Sequence, residues 1–326
     1  MAKARMEVDG MTCAHCEQTV EHLLASAGAR DAKADWRRGE ATFEFEGDRS
    51  SIDESFSTSH YRPREIEMVE TPQPVVSTRG DVEFDLVAIG SGSAAFAAAI
   101  RATNLGARVA IVERNTVGGT CVNVGCIPSK NLLAASETYY QAGHHPFAGI
   151  STVQDGVEVG ALIGKKTEVV AMLRQQKYLD LAEHYGFEII RGSAHFVGSD
   201  AIDVDGHKIR AGHFLISTGS APWAPPIAGL EDAGYLTSTT AMEVKELPES
   251  LVVIGGNNIG LEMGQVFANL GTKVTVVEAL DRIAPLEEPE ISQWMTKILT
   301  DQGIDVVPAA KVIRVEGGET KSVIAE

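Results

Sequence analysis

The sequence predicts an α/β protein: an N-terminal ferredoxin-like βαββαβ domain, then two Rossmann-type dinucleotide-binding domains, the second incomplete. Three observations carry that prediction. Two buried-strand patterns, Phe84–Ile89 and Leu251–Ile254, each run into a glycine-rich turn, a helix and a further strand closing on a glutamate. The first seventy or so residues alternate strand and helix patterns in the order βαββαβ. The 326-residue chain, 44% hydrophobic and 22% charged, is long enough for two or three separate cores.

Bulk properties exclude several function classes. The net charge is −17, from 28 basic and 45 acidic residues, which repels nucleic acid and anionic lipid. No apolar run is long enough to span a bilayer, and the start, Met-Ala-Lys-Ala-Arg-Met-Glu, has no apolar stretch after its basic residues, so neither membrane insertion nor export is expected and the cytoplasm is. The four cysteines fall in two close pairs, Cys13/Cys16 and Cys121/Cys126, which points to metal or redox chemistry rather than scattered structural bridges.

In chain order, Lys3–Val8 reads as a strand, Gly10–Cys16 as a loop, and Glu17–Ala27 as a helix with Val20, Leu23, Leu24 and Ala27 on one face. Ala29–Trp36 and Glu40–Phe45 read as strands, Ser51–Ser57 as a short helix and Tyr61–Val69 as a last strand. Cys13 and Cys16 lack the following His of a haem site, and the next cysteine lies 105 positions on, too far for a local zinc site. Two thiolates at a helix N-terminus suit a soft ion, Cu(I) or Hg(II). His15 reads as a solvent-facing loop residue. Gly-Met-Thr-Cys-x-x-Cys in this setting resembles the heavy-metal-associated domain of copper chaperones, metal-transporting ATPases and mercuric reductases.

Glu70–Asp81, with two prolines and no periodicity, reads as a tether. Phe84–Ile89 then leads into Gly90-Ser91-Gly92-Ser93-Ala94-Ala95, a helix from Phe96 to Leu105, and the strand Val109–Val112, with Glu113 lying 23 positions after Gly90. Gly90 makes the turn, Gly92 admits a pyrophosphate at the helix N-terminus beside Ser93, Ala95 lets helix meet strand, and Glu113 takes ribose hydroxyls.

Next comes Gly118-Gly119-Thr120-Cys121-Val122-Asn123-Val124-Gly125-Cys126-Ile127-Pro128-Ser129-Lys130. Two buried thiols are the structural alternative to chemistry here. The paired glycines allow close backbone approach, Pro128 makes the helix bend or begin, and Lys130, one turn from Cys126, favours a thiolate. The whole string resembles the redox-active disulfide of the flavin-dependent pyridine-nucleotide disulfide oxidoreductases, among them lipoamide dehydrogenases, glutathione reductases and mercuric reductases. The resemblance implies FAD at the first glycine turn, with Gly119 and Thr120 beside it. It implies Cys126 as the thiolate against the flavin, Cys121 as the exchanging thiol, and Lys130 paired with a glutamate.

Asn131–Ala142 continues the helix carrying the cysteines, and His144-His145-Pro146 ends it as a solvated loop. Val157–His184 reads as one long amphipathic helical region. Within it Tyr178 is either a helix-face aromatic or, by the resemblance to mercuric reductases, a residue lying over the thiol pair that helps hold the metal. Phe187–Gly192, Ala194–Val197, Ala201–Val204 and His207–Arg210 read as short antiparallel strands. Phe214–Pro222, with Thr218 and Gly219, resembles the turn that closes the family's FAD domain.

After Leu251–Ile254 the glycine plan repeats. Gly255-Gly256-Asn257-Asn258-Ile259-Gly260 precedes a helix from Leu261 to Leu270 and the strand Lys273–Val277, ending at Glu278. Gly255 and Gly260 keep the pattern, and Asn257 replaces its central glycine. Glu278 argues for NADH, because an acid there binds two ribose hydroxyls and repels a 2′-phosphate. Mercuric reductases typically use NADPH, and Arg282 lies close by. The resemblance aligns Glu262 with the glutamate that pairs with Lys130.

The expected organisation is residues 1–70 for the metal-binding domain, 71–81 the linker, 82–225 the FAD domain and 226–326 an NAD(P) domain. Ile304–Val315 begins further strands, and the chain reads as C-terminally truncated, lacking the family's dimer-interface domain, so that alone it is expected to bind FAD weakly and not to turn over. The resemblance implies reduction of Hg(II) to Hg(0), with Cys13, Cys16, Cys121 and Cys126 as metal ligands, small thiols as partners, and a homodimer in the family. Two alternatives stand beside it: a lipoamide dehydrogenase- or glutathione reductase-like disulfide reductase, and a non-catalytic Hg(II)- or Cu(I)-binding module.

Overall fold

Strict alternation lays down the first sheet. In β1 (Ala2–Asp9), Ala4, Met6 and Val8 are buried while Lys3, Arg5 and Glu7 face outward. The computed structural model describes residues 2–11, 14–36, 38–69, 82–318 and 320–326. Thr12 and Cys13 and the expected tether at 70–81 lie outside the described residues. The chain divides into two units, Met1–Val76 and Ser77–Glu326.

In the first unit β1 is followed by α1 (Ala14–Ser26), β2 (Arg30–Asp35), β3 (Glu40–Phe45), α2 (Arg49–Phe56) and β4 (Arg62–Val69), the expected βαββαβ order. The sheet is antiparallel in the order β2-β3-β1-β4. Val20 and Leu24 of α1 and Ile52 and Phe56 of α2 pack with Met6 and Phe43 into one core. Glu17 and Glu21 of α1 accept hydrogen bonds from the amides of Trp36 (3.1 Å) and Ala34 (3.1 Å), sealing donors beside the edge strand β2. The helix opens earlier than the sequence suggests. It starts at Ala14, a strong helix former, so Cys16 lies in its first turn rather than in a loop.

The second unit begins with β5 (Phe84–Ile89), α3 (Ser93–Asn104) and β6 (Val109–Glu113). Then come α4 (Gly119–Asn123), α5 (Cys126–His144), α6 (Val159–Arg174), a π turn at Gln175–Leu179 and α7 (Asp180–Tyr185). β7 (Glu188–Arg191), β8 (Ala194–Phe196), β9 (Ala201–Val204) and β10 (His207–Ile216) complete a six-stranded sheet in the order β7-β6-β5-β10-β9-β8. Its central strands are covered on both sides: Ala88 and Ile111 pack with Ala95, Phe96 and Phe187, while Val87, Ala110 and Val112 pack with Ile202 and Ile209.

Four details depart from the sequence reading. The cysteines sit on two helices rather than one, because the turn at Val124-Gly125 breaks the run and α5 begins at Cys126. His144 closes α5 as a helical residue instead of lying in a loop. β7 pairs parallel with β6, since a helical crossover returns the chain in the same direction. The region 207–216 is one continuous strand, antiparallel to β9 in its first half and parallel to β5 in its second.

Two short helices follow, α8 (Leu230–Ala233) and α9 (Ser238–Ala241). Then β11 (Ser250–Ile254), α10 (Asn258–Asn269), β12 (Lys273–Val277), α11 (Pro289–Asp301) and β13 (Asp305–Val307) form a parallel sheet in the order β11-β12-β13 with its helices. β14 (Val312–Glu316) and β15 (Ser322–Ala325) pair as an antiparallel ribbon. Leu132 of α5 packs against Met263 and Val266 of α10, so the helix after the thiols and the helix after the second glycine turn share a core. No helix among the described residues is long and apolar enough to cross a membrane.

A buried cation fastens α6 to the segment after α9. Lys166, 2% exposed, donates to the Met242 carbonyl at 3.0 Å and pairs with the Glu243 carboxylate. Only the ammonium is buried, since the Glu243 side chain is 58% exposed and screened by water. Removing Glu243 leaves that ammonium buried on one carbonyl, whereas an apolar side chain of similar length buries no charge. Glu243→Ala is therefore expected to destabilise the protein by about 2 kcal/mol and Lys166→Met by no more than about 1 kcal/mol. Urea unfolding monitored by circular dichroism measures both, and equal losses would contradict the argument.

Candidate functional site

The first glycine turn is built by hydrogen bonds and by missing side chains. The Gly90 amide donates to the Val112 carbonyl at 2.8 Å, tying the turn to the end of β6. Gly90 has φ +103, and a Cβ there would lie 2.3 Å from the Ser217 carbonyl oxygen. Ser217 and Thr218 thus come directly against Gly90, with Gly219 the next residue of the same turn. Ala95 is fully buried where α3 meets the sheet. Gly92 caps α3 with no side-chain hydrogen bond, leaving the first-turn amides around Ser93 without a side-chain acceptor from the cap.

Glu113 does more than end a strand. Its Oε2 accepts from the Ser91 amide (3.1 Å) and hydroxyl (2.5 Å), and its Oε1 accepts from the Asn115 amide (2.7 Å). Ser91 Oγ in turn accepts from the Gly118 amide at 3.1 Å, at the start of the cysteine loop. At the next residue the two backbones touch: Gly119 has φ +66, and a Cβ on it would stand 2.5 Å from Gly92 Cα. Glycine at 119 is what allows the cysteine loop to lie on the first glycine turn.

Cys121 sits on α4 beside Thr120, and Cys126 opens α5. Gly125 brings them together, because a Cβ there would be 2.9 Å from the Thr120 carbonyl oxygen and 3.3 Å from Cys121 Cα. Cys126 is exposed and Cys121 half-buried, and no disulfide joins them. The hydrogen bond with the Cys126 side chain, followed by burial, pushes the Cys121 thiol up from its ordinary value. The neighbouring sulfur thus favours the protonated form of Cys121.

Lys130 of α5 forms an ion pair with Glu262 of α10, and Ser129 Oγ lies 3.4 Å from the same carboxylate. Tyr178 reaches this region from the π turn. Its ring packs edge-on against Phe96 with centroids 4.8 Å apart, its hydroxyl is 3.4 Å from Ser93 Oγ, and a Cβ on Gly118 would be 3.4 Å from its Cδ2. Lys130, Glu262, Tyr178, Ser93 and the two thiols therefore belong to one unit of the fold, gathered by α3, α4, α5, α10 and the π turn.

The second glycine turn repeats the backbone bonds of the first, without the hydroxyl that Ser91 supplies there. The Gly255 amide donates to the Val277 carbonyl at 2.8 Å. Glu278, 8% exposed, accepts from the Gly256 amide at 2.7 Å and the Leu280 amide at 2.8 Å. A Cβ at Gly260 would fall 2.1 Å from the Gly255 carbonyl oxygen, so glycine is required for helix and turn to meet. Asn257 stands where Gly92 stands in the first copy, and its Oδ1 accepts from the Asn258 amide at 2.9 Å.

In the first unit Cys16 is buried at 7% exposure in the first turn of α1, and its expected partner Cys13 lies outside the described residues, as do the side chain of His15 and any geometry for a metal there. Sequence reading missed the roles of Ser91, Asn123, Gly125 and Arg174. Ser91 and Gly125 stood inside motifs without an assigned task. Asn123 and Arg174 carry no local signal, since their contact spans fifty-one positions.

The family model for pyridine nucleotide-disulphide oxidoreductases matches residues 84–326, and that for the heavy-metal-associated domain matches residues 5–61. The chain is 42% identical to a mercuric reductase of Bacillus cereus across 100% of this chain and 53% of that protein. It is 44% identical to one of Staphylococcus aureus across 99% of this chain and 59% of that protein. Dihydrolipoyl dehydrogenase 3 of Pseudomonas aeruginosa is 39% identical over 72% of this chain and 52% of its own length. The chain thus spans somewhat over half the length of the curated relatives it matches. Among solved structures, the HOCl-induced flavoprotein disulfide reductase RclA of Escherichia coli superposes with a TM-score of 0.64 at 33% identity, covering 74% of this chain and 53% of that one.

The protonation of Cys121 is open to direct measurement. Replacing Cys126 by Ala removes the partner that holds the Cys121 proton, so the Cys121 pKa falls toward the ordinary thiol value of about 8.5. In Cys126→Ala the rate of Cys121 alkylation by iodoacetamide should reach half-maximum at lower pH than in the parent, read by peptide mass spectrometry. An unchanged or higher midpoint would contradict the hydrogen-bond assignment.

Proposed function

The chain belongs to the pyridine nucleotide-disulphide oxidoreductase family, and from that membership we propose that it reduces Hg(II) to Hg(0) with electrons from a nicotinamide dinucleotide. The observation that carries this reading is the union, in one chain, of a redox thiol pair on a dinucleotide turn with a heavy-metal-associated domain. Relatives named mercuric reductase match that whole arrangement. The reaction balances as NAD(P)H plus Hg(II) giving NAD(P)⁺, H⁺ and Hg(0).

The first glycine turn fits the flavin nucleotide that membership implies. α3 opens on a glycine that leaves its terminal amides uncapped by a side chain, and no Cβ obstructs the surface at Gly119. Gly90, Gly92, Ser93, Ala95 and Glu113 would hold the pyrophosphate and ribose of FAD, with Gly119, Thr120, Thr218 and Gly219 against it. When bound, FAD supplies a carrier that accepts a hydride and releases electrons to the thiol pair.

The remaining steps belong to side chains of this chain. Cys121, whose proton is held by Cys126, is the exchanging thiol that captures Hg(II) from small-thiol complexes, releasing those thiols as it binds. Cys126 joins it as second ligand, and two sulfurs suit the ion's preference for soft, near-linear coordination. Lys130, fixed by Glu262, places a cation one turn along α5 from Cys126. Tyr178 lies over this end of the site and helps hold the metal. Cys13 and Cys16 gather Hg(II) and pass it on by thiol exchange. Small thiols in a reducing compartment, the cytoplasm, serve as carriers, and the working form is a homodimer.

For the nicotinamide dinucleotide, Glu278 supports NADH. Its carboxylate is held by two amides where adenosine ribose hydroxyls would bind, and it repels a 2′-phosphate. Arg282, the nearby cation, is committed to its own loop. Its Nη2 donates to the Pro285 carbonyl at 2.9 Å, and its Nη1 lies 3.6 Å from Asp281. Asp281, Glu287 and Glu288 leave the loop acidic.

Two outcomes test this function. Reconstituted with FAD and supplied with excess mercaptoethanol, the full-length protein should oxidise NADH on addition of Hg(II), and Cys121→Ser or Cys126→Ser in it should lower that rate by at least about a hundredfold. Oxidation driven instead by lipoamide or glutathione disulfide would assign a disulfide reductase. Binding of NADH should be at least about tenfold tighter than that of NADPH, a difference of about 1.4 kcal/mol, and Glu278→Gln should narrow the ratio. Fluorescence titration of the reduced dinucleotides measures this independently of turnover, and a preference for NADPH would overturn the role of Glu278.

A further inference from the structure

The helical hairpin above the thiols contains an irregularity that the reaction as described does not use. α6 ends at Arg174, the next five residues form a π turn, and α7 continues the same run. A π turn holds one residue more per turn than an α-helix and costs helix regularity, so it is kept where it redirects side chains. Here it separates two residues that both face the redox loop. At its head, Arg174 Nη1 donates to Asn123 Oδ1 at 3.1 Å. Within it, Tyr178 packs over Phe96 and against Gly118.

Asn123 is the keystone of the loop it touches. It stands two residues after Cys121 and three before Cys126. Its Nδ2 donates to the carbonyls of Val117 and Gly119, both at 3.0 Å, so its amide spans the entry to α4 while its oxygen faces the guanidinium. With nitrogen on carbonyls and oxygen on a cation, the amide has one orientation and the loop one shape.

We propose that Arg174 is a positioning residue for the thiol pair: through Asn123 it holds the Cys121–Cys126 loop in the shape that brings the two sulfurs together. A loop already held in shape loses less freedom when the disulfide closes, so each thiol has a higher effective concentration for the other. Losing Arg174 leaves the sulfurs in place in the chain but shifts the couple toward the dithiol. This inference rests on the reading of Cys121 and Cys126 as a redox couple.

The test equilibrates the full chain with mixtures of reduced and oxidised glutathione. In that reaction two glutathione thiols reduce the Cys121–Cys126 disulfide to the dithiol and leave as glutathione disulfide. Thiols are trapped in acid and alkylated, and the peptide containing both cysteines is quantified by mass spectrometry, apart from the Cys13/Cys16 peptide. Arg174→Met and Asn123→Ala are each expected to shift the equilibrium toward the dithiol by roughly fivefold, and the double variant by no more than either single one. Arg174→Lys, which keeps a charged donor, should recover most of the shift. Arg174→Gln repeats the measurement should Met at that position prevent folding. Shifts under about twofold, or shifts that multiply in the double variant, overturn the proposal while leaving the redox couple standing. A parent chain that forms no Cys121–Cys126 disulfide at all overturns both.

Discussion

The fold of the second unit turns on one carboxylate. Glu113 ends β6 and grips Ser91 through amide and hydroxyl, and Ser91 passes the restraint to the Gly118 amide. The end of β6 and the entry to the thiol loop, five positions apart, are thereby both locked to the glycine turn some twenty-two positions earlier. A charged acceptor makes these bonds stronger than neutral ones, and their partial burial keeps water from competing. The Gly118 amide also lies 3.2 Å from the Ser91 carbonyl, and together these bonds bring Gly119 against Gly92. The cysteine loop is thus seated on the first glycine turn rather than tethered near it.

The same lock recurs at the second turn with a different lining. Glu278 grips Gly256 and Leu280 as Glu113 grips Ser91 and Asn115. The difference lies at the helix N-terminus. Gly92 leaves the amides of α3 without a capping side chain, while Asn257 turns its own oxygen onto the first amide of α10. An asparagine cap is worth only about a few tenths of a kcal/mol more than a glycine cap, so the difference is one of occupancy more than of helix stability. A phosphate arriving at α10 has to displace that oxygen, whereas one arriving at α3 does not. Physically this ranks the two turns: the first suits a resident group and the second one that comes and goes.

Much of this was legible in the sequence because the signals are local. The buried strands Phe84–Ile89 and Leu251–Ile254, the glycine spacing and the closing acids each lie within some twenty-five positions. The alternation of Met6 and Val8 with Arg5 and Glu7 sufficed for the first sheet. What escaped depends on chain folding back. Nothing in Glu188–Arg191 says that it pairs parallel with β6, and nothing in His207–Ile216 says that one strand serves two partners in opposite senses. The π turn has no compositional mark, since Gln-Gln-Lys-Tyr-Leu is ordinary helix sequence. Arg174 and Asn123 look like surface residues until the turn brings them together.

The joint between the two dinucleotide regions shows which force sets the geometry. α5 and α10 run alongside one another in the same direction, with Lys130 on Glu262 near their starts and Ser136 near Asn269, at 3.5 Å, further along. The ion pair draws attention, but its side chains are 60% and 34% exposed, and such pairs contribute about 0–1 kcal/mol. Leu132, Met263 and Val266 are each at least nine-tenths buried between the same helices, and burying such side chains contributes about 1.5–3 kcal/mol apiece. Packing therefore places α5 against α10, and the ion pair forms because packing has put its partners within reach. Neutralising Glu262 would leave the helices docked and change only the charge presented to Lys130, which separates the electrostatic role of this pair from any architectural one.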